Sequence, residues 1–146
     1  MKINRIVSIV SLVLVVLLGA CSAVSLPLSG SDRDAVLAYS EAKVDNLMQS
    51  MNNNDLAAFS RDLDDKMKGA FTADSFAKMQ SQIGGKIGKY VSRQVSTVLR
   101  TGDYVTIIYA ARFENEDAVT MRVSLETAEP HRVSGLWFDS AKLRQQ

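Results

Sequence analysis

Past residue 31 the chain carries two hydrophobic periods, one after the other. From Asp32 to about Ile83 the apolar residues recur at spacings of three and four, the mark of helices that bury one face. Ser31-x-x-Asp34 reads as the opening cap of a first helix, along which Leu37, Val44, Leu47, Met48 and Met51 form one stripe. Asn52-Asn53-Asn54 ends it, and Asp55 caps a short second helix carrying Leu56 and Phe59. Thr72 or Asp74 opens a third helix with Phe76, Met79 and Ile83 inward, and Gly84-Gly85 is expected to stop it. After Gly88 the period becomes two. Tyr90–Arg100, Tyr104–Phe113, Ala118–Thr127 and Arg132–Phe138 read as four strands rich in Val, Ile, Thr and aromatics, separated by hairpin turns.

The alternation assigns faces. Val105, Ile107, Tyr109, Ala111 and Phe113 oppose Tyr104, Thr106, Ile108, Ala110 and Arg112, and Val119, Met121, Val123 and Leu125 oppose Thr120, Arg122, Ser124 and Glu126. A sheet with one apolar face needs a cover, which the upstream helices supply. The expected class is therefore α+β, with N-terminal helices packed on a four-stranded antiparallel sheet over residues 32–139 and a short tail at 140–146.

The N-terminus has a different pattern. Lys2 and Arg5 precede Ile6–Leu18, an uncharged stretch of 13 residues that as a helix spans about 20 Å, short of the ~30 Å hydrocarbon core. This is the build of a removable secretory leader over residues 1–20. Ser22–Ser31 then reads as an aperiodic tether. As a flexible coil it spans ~17 Å, so the domain is expected to sit close to its attachment point.

Removing the leader lowers Lys plus Arg from 17 to 15 against 16 Asp plus Glu, and turns the formal charge from +1 to −1. That balance excludes a polyanion binder read from bulk charge, and no nucleic-acid partner is expected. One cysteine excludes a disulfide framework, and one histidine excludes multi-histidine metal sites.

Two resemblances follow. Leu18-Gly19-Ala20-Cys21 resembles the lipobox of prokaryotic lipoproteins. The resemblance implies that Cys21 receives a diacylglycerol, that the leader is cut before it, and that the protein is held in the cell envelope by lipid, on the outer membrane if the host has one. An ordinary secretory leader with a coincidental cysteine and an uncleaved anchor helix are the competing readings. The second resemblance rests on the helix order, the Asn54-Asp55-Leu56-x-x-Phe59 segment, and four strands ending in Arg132-Val133-Ser134-Gly135-Leu136-Trp137-Phe138. Together these are similar to the nuclear transport factor two-like, cystatin-like α+β cone, and to its secreted and lipoprotein members. That fold implies a sheet wrapped round a helix, often with a pocket and often dimeric. It does not fix function.

Candidate chemistry is sparse. Asp62-Leu63-Asp64-Asp65 lacks the glycine and distal glutamate of a calcium loop and reads as turn or helix-cap carboxylates. His131 reads as an exposed turn residue, and Gly84-Gly85-Lys86-Ile87-Gly88 lacks the spacing of a phosphate loop. Arg93 is the anomaly, falling in register with the apolar Val91, Val95 and Leu99. It anchors an anionic ligand in a pocket, snorkels out at the rim where the sheet bends, or pairs with a helix carboxylate such as Glu41 or Asp45. Tyr39, Arg93, Tyr109 and Trp137 are the candidate pocket residues, for a small apolar or anionic ligand. Tyr104, Ile108, Arg112 and Arg122 are the candidate interaction face, for a second copy or an envelope protein. No catalytic residue, cofactor or metal is expected. The expectation is a non-catalytic binding or interaction module, with a small cone-fold lyase or isomerase as the alternative.

Overall fold

The long helix forms because its apolar residues keep a helical period for more than six turns. In the computed structural model, which describes residues 24–145, this is α1 (Gly30–Asn53), preceded by a two-residue strand β1 (Leu26–Pro27). Asn54, in the left-handed conformation, closes α1 by donating its N–H to Met51 O. Helices α2 (Leu56–Ser60), α3 (Asp65–Ala70) and α4 (Ala73–Ile87) follow, each opened by a side chain that accepts a backbone N–H. Asp55 accepts from Ala58, Asp64 from Met67 and Thr72 from Ser75. Strands β2 (Tyr90–Thr101), β3 (Tyr104–Phe113), β4 (Glu116–Glu126) and β5 (Val133–Asp139) and a final turn of helix, α5 (Ala141–Arg144), complete the order.

The sheet is an open antiparallel meander of five strands in sequence order, so the fold is α+β. The fifth strand is β1, inside the stretch read as tether. Leu26 pairs with Arg100 and Pro27 with Leu99, and Ser25 Oγ lies 2.7 Å from Thr101 Oγ1. Other expectations change as well. The α1 N-cap is Ser29, without a side-chain cap bond, and not Ser31. The buried stripe of α1 runs through Val36 and Ser40 to Val44, Leu47, Met48 and Met51, leaving Leu37 half-buried. Helix α4 passes through Gly84 and Gly85 and stops at Gly88, whose φ is +79°. A Cβ on Gly88 would lie 2.8 Å from Glu114 Cβ, so this stop also needs glycine for room.

Inner-face residues of β3 and β4 pack against Val44, Leu47, Met48, Phe59 and Phe76 to make the core. Strand β2 departs from strict alternation. Its register with β3 slips between Tyr90 and Ser92 and again between Val95 and Thr97, leaving Val91 and Ser96 as bulge residues. Val91 is consequently 54 % exposed rather than inward, and Val98 takes the inner position expected for Leu99. The open edge of β2 is blunted by α1. Asn52 Nδ2 donates to Tyr90 O at 2.8 Å while Tyr90 N–H donates to Asn52 Oδ1 at 2.9 Å, so a side-chain amide stands in for a neighbouring strand.

Candidate functional site

Because the second bulge shifts the parity of β2, Arg93 and Arg100 both face inward. Their partners across the ladder are the buried Ala111 and Val105. Arg93 lies under the middle of α1 with its side chain 8 % exposed. One terminal nitrogen donates to Asp45 Oδ1 at 2.6 Å and to the Tyr90 hydroxyl at 3.1 Å, and the other donates to Glu41 Oε2 at 2.7 Å. Glu41 and Asp45 stand one helical turn apart, which puts both on the face of α1 that meets the strand. The anchor and the pairing readings of Arg93 are thus separated by geometry: its charge is matched by two carboxylates of its own chain. Within the guanidinium, only Nε is buried without a partner among the described residues.

Tyr109 belongs to the same cluster. It is fully buried, its hydroxyl donates to Glu41 Oε1 at 2.7 Å, and the Arg93 guanidinium lies 5.2 Å from its ring centre. Burial pushes the Tyr109 phenol well above its usual pKa. The bond to Glu41 and that residue's charge add to the effect, and Arg93 partly opposes it. Burial pulls the Arg93 pKa down, but the bonds from Asp45 and Tyr90 and the charge of Glu41 together outweigh it, and the net shift is upward. Both oxygens of Glu41 are committed, one to Tyr109 and one to Arg93. The cluster therefore holds a carboxylate beside a tyrosine, but as a clasp between helix and sheet and not as a base awaiting a substrate.

Tyr39, two residues before Glu41, lies elsewhere. It stacks on His131 with ring centres 3.7 Å apart and an interplanar angle of 12°. His131 is therefore not a lone exposed turn residue. It is half-buried, its Nδ1 is 3.2 Å from Glu126 O, and its φ of +55° is rare for a residue with a Cβ. These rings form one wall of a cleft of about 450 Å³ that also contains Leu28, Asp32, Val36, Arg100 and Val105. Burial raises the Tyr39 pKa and Arg100 opposes the shift. Sequence reasoning passes over Arg100 and Asp32. Arg100 reads as outward under strict alternation, and nothing in the composition around Ser96 marks a bulge.

The four residues expected to form an interaction face do share the outer surface. Tyr104 is 48 % exposed, Arg112 and Arg122 are exposed, and Ile108 is half-buried. Trp137 joins them, and it also lines a second cleft, of about 510 Å³, with Met79, Ile83, Lys86, Leu136 and Leu143. It pairs across the ladder with Arg122, is 45 % exposed, and has the Arg122 guanidinium 4.6 Å from its ring. The reason is parity: the inner positions on β5 fall to Leu136 and Phe138, whose partners Val123 and Met121 are buried. A row Thr97, Ile108, Arg122, Trp137 therefore crosses four strands on the outer face.

Cys21 and the leader lie outside the described residues. Among the described residues no helix is long and apolar enough to cross a membrane, and no three His, Cys, Asp or Glu side chains group as metal ligands would. Comparison with curated proteins and with solved structures gives no significant match. A family model described as "Protein of unknown function (DUF3887)" matches residues 44–128. The match runs from the middle of α1 to the turn after β4 and takes in Arg93, Arg100 and Tyr109. It covers more than half of the chain, which therefore belongs to the DUF3887 family.

Proposed function

We propose that this protein is a lipid-anchored module of the cell envelope, attached through Cys21, whose domain is a cone of the nuclear transport factor two-like kind and acts by binding rather than by catalysis. The observation that carries the non-catalytic reading is the clasp at Arg93. A lyase or isomerase of this fold needs an acid or base free to meet a substrate, and here both oxygens of Glu41 are held by Tyr109 and Arg93. The outer sheet face, with Tyr104, Ile108, Arg112, Arg122 and Trp137, supplies a surface for a second copy or an envelope protein.

A native mass spectrum of the protein, gently extracted from its own envelope, tests the binding reading. A retained small molecule, a second copy or a protein adduct is the expected result, and a bare monomer overturns it. The anchor is tested separately. Cys21→Ala is expected to leave the domain folded and release it from membranes. Firm attachment of that variant, with no acyl mass on the wild type, overturns the anchor.

A further inference from the structure

The cleft between the first turns of α1 and the β2 end of the sheet holds two opposite charges that do not meet. Arg100 enters it from the inner face of β2 and Asp32 from α1, and among the described residues neither makes an ion pair or a side-chain hydrogen bond. Arg93, by contrast, has two carboxylates within 2.7 Å. The stacked Tyr39 and His131 rings form one wall, and Leu28, Val36 and Val105 supply apolar surface. A cation and an anion in one cleft, separated by more than an ion-pair distance and flanked by aromatic rings, are complementary to a ligand that carries both charges itself.

We propose that this cleft binds a small zwitterion of the phosphoethanolamine type, its anionic group on Arg100, its ammonium beside Asp32, and its body against the Tyr39–His131 stack. The same chemistry is offered by a free zwitterion and by the headgroup of a phospholipid. Strand β1 bears on the second source. Leu26 pairs with Arg100 itself, and Cys21 is five residues before Leu26, so an anchor there lies at most about 18 Å from the strand that carries Arg100. That geometric link rests on the anchor proposed above; the site does not.

His131 is the only histidine in the chain, so its ring protons report on the cleft without labelling. The experiment follows them by NMR in the full chain held in a non-ionic detergent. The probes are phosphoethanolamine, inorganic phosphate and ethanolamine in turn, and then micelles doped with phosphatidylethanolamine. Phosphoethanolamine or the doped micelles are expected to shift His131 saturably. A response to the free compound identifies a soluble ligand, and a response to the doped micelles alone identifies a headgroup. Phosphate and ethanolamine alone are expected to bind at least about tenfold more weakly. Arg100→Gln and Asp32→Asn should each weaken binding about tenfold, while Arg122→Gln on the outer face leaves it unchanged. No shift with any probe, undiminished binding in both cleft variants, or tighter binding by Asp32→Asn overturns the proposal. Equal binding by the Cys21→Ala chain keeps the site and separates it from the anchor.

Discussion

Arg93 and Arg100 sit seven residues apart on one strand and face the same side of the sheet, yet they are different kinds of arginine. Arg93 is buried and its charge is matched: two carboxylates, a phenol and an aromatic face surround it. Arg100 is exposed at the end of the strand and has no partner among the described residues. An inward direction alone, then, does not make an arginine a ligand site. A buried guanidinium must be neutralised where it stands, and here its own chain supplies both anions. At the rim, water solvates the charge, and it stays available.

Removing the shared carboxylate puts this contrast under the greatest stress. Glu41→Ala strips one partner from the buried Arg93 and the acceptor from the Tyr109 hydroxyl, and should cost about 3 kcal/mol in urea unfolding. A cost near zero would mean that the clasp does not hold helix to sheet. Arg93→Met should cost less, about 2 kcal/mol, because the carboxylates it abandons are 40 and 55 % exposed and can return to water.

Alkaline pH gives a smaller effect of known sign. The Tyr109 and Tyr39 phenols are both raised in the folded protein, so their contribution is fully present below the unfolded pKa of about 10 and is lost as pH rises through the folded values. The urea midpoint should therefore fall above about pH 10, and Tyr109→Phe should flatten that fall. The smallest effect belongs to the other arginine. Arg100→Gln should change stability by no more than about 0.5 kcal/mol, as expected for an exposed side chain without a partner. A loss as large as that for Arg93→Met would make Arg100 a second structural clasp and end the contrast.

Much of the fold is legible in the chain. The change of period near Gly88 separates helices from strands, and the caps at Asp55 and Thr72 are readable because a short polar side chain before an apolar run satisfies the free N–H groups of a helix start. Helix α3 is not legible, because it is only six residues long and buries none of them. Strand β1 escapes for a similar reason: two residues carry no period, and their pairing depends on the far end of β2. The need of an inward arginine for a counter-charge points to helix carboxylates such as Glu41 and Asp45, whereas the face taken by Trp137, opposite Arg122, depends on the register of β4 and β5.

Helix, strand and the need for one shared core follow from the order of residues alone, because period and capping are local properties of consecutive positions. Which inward arginine is neutralised and which is free was settled in three dimensions. It depended on two bulges in β2 and on where α1 crosses the strand. Bulges shift every later side chain to the other face, and they arise from the pairing of strands and not from the residues at the bulge.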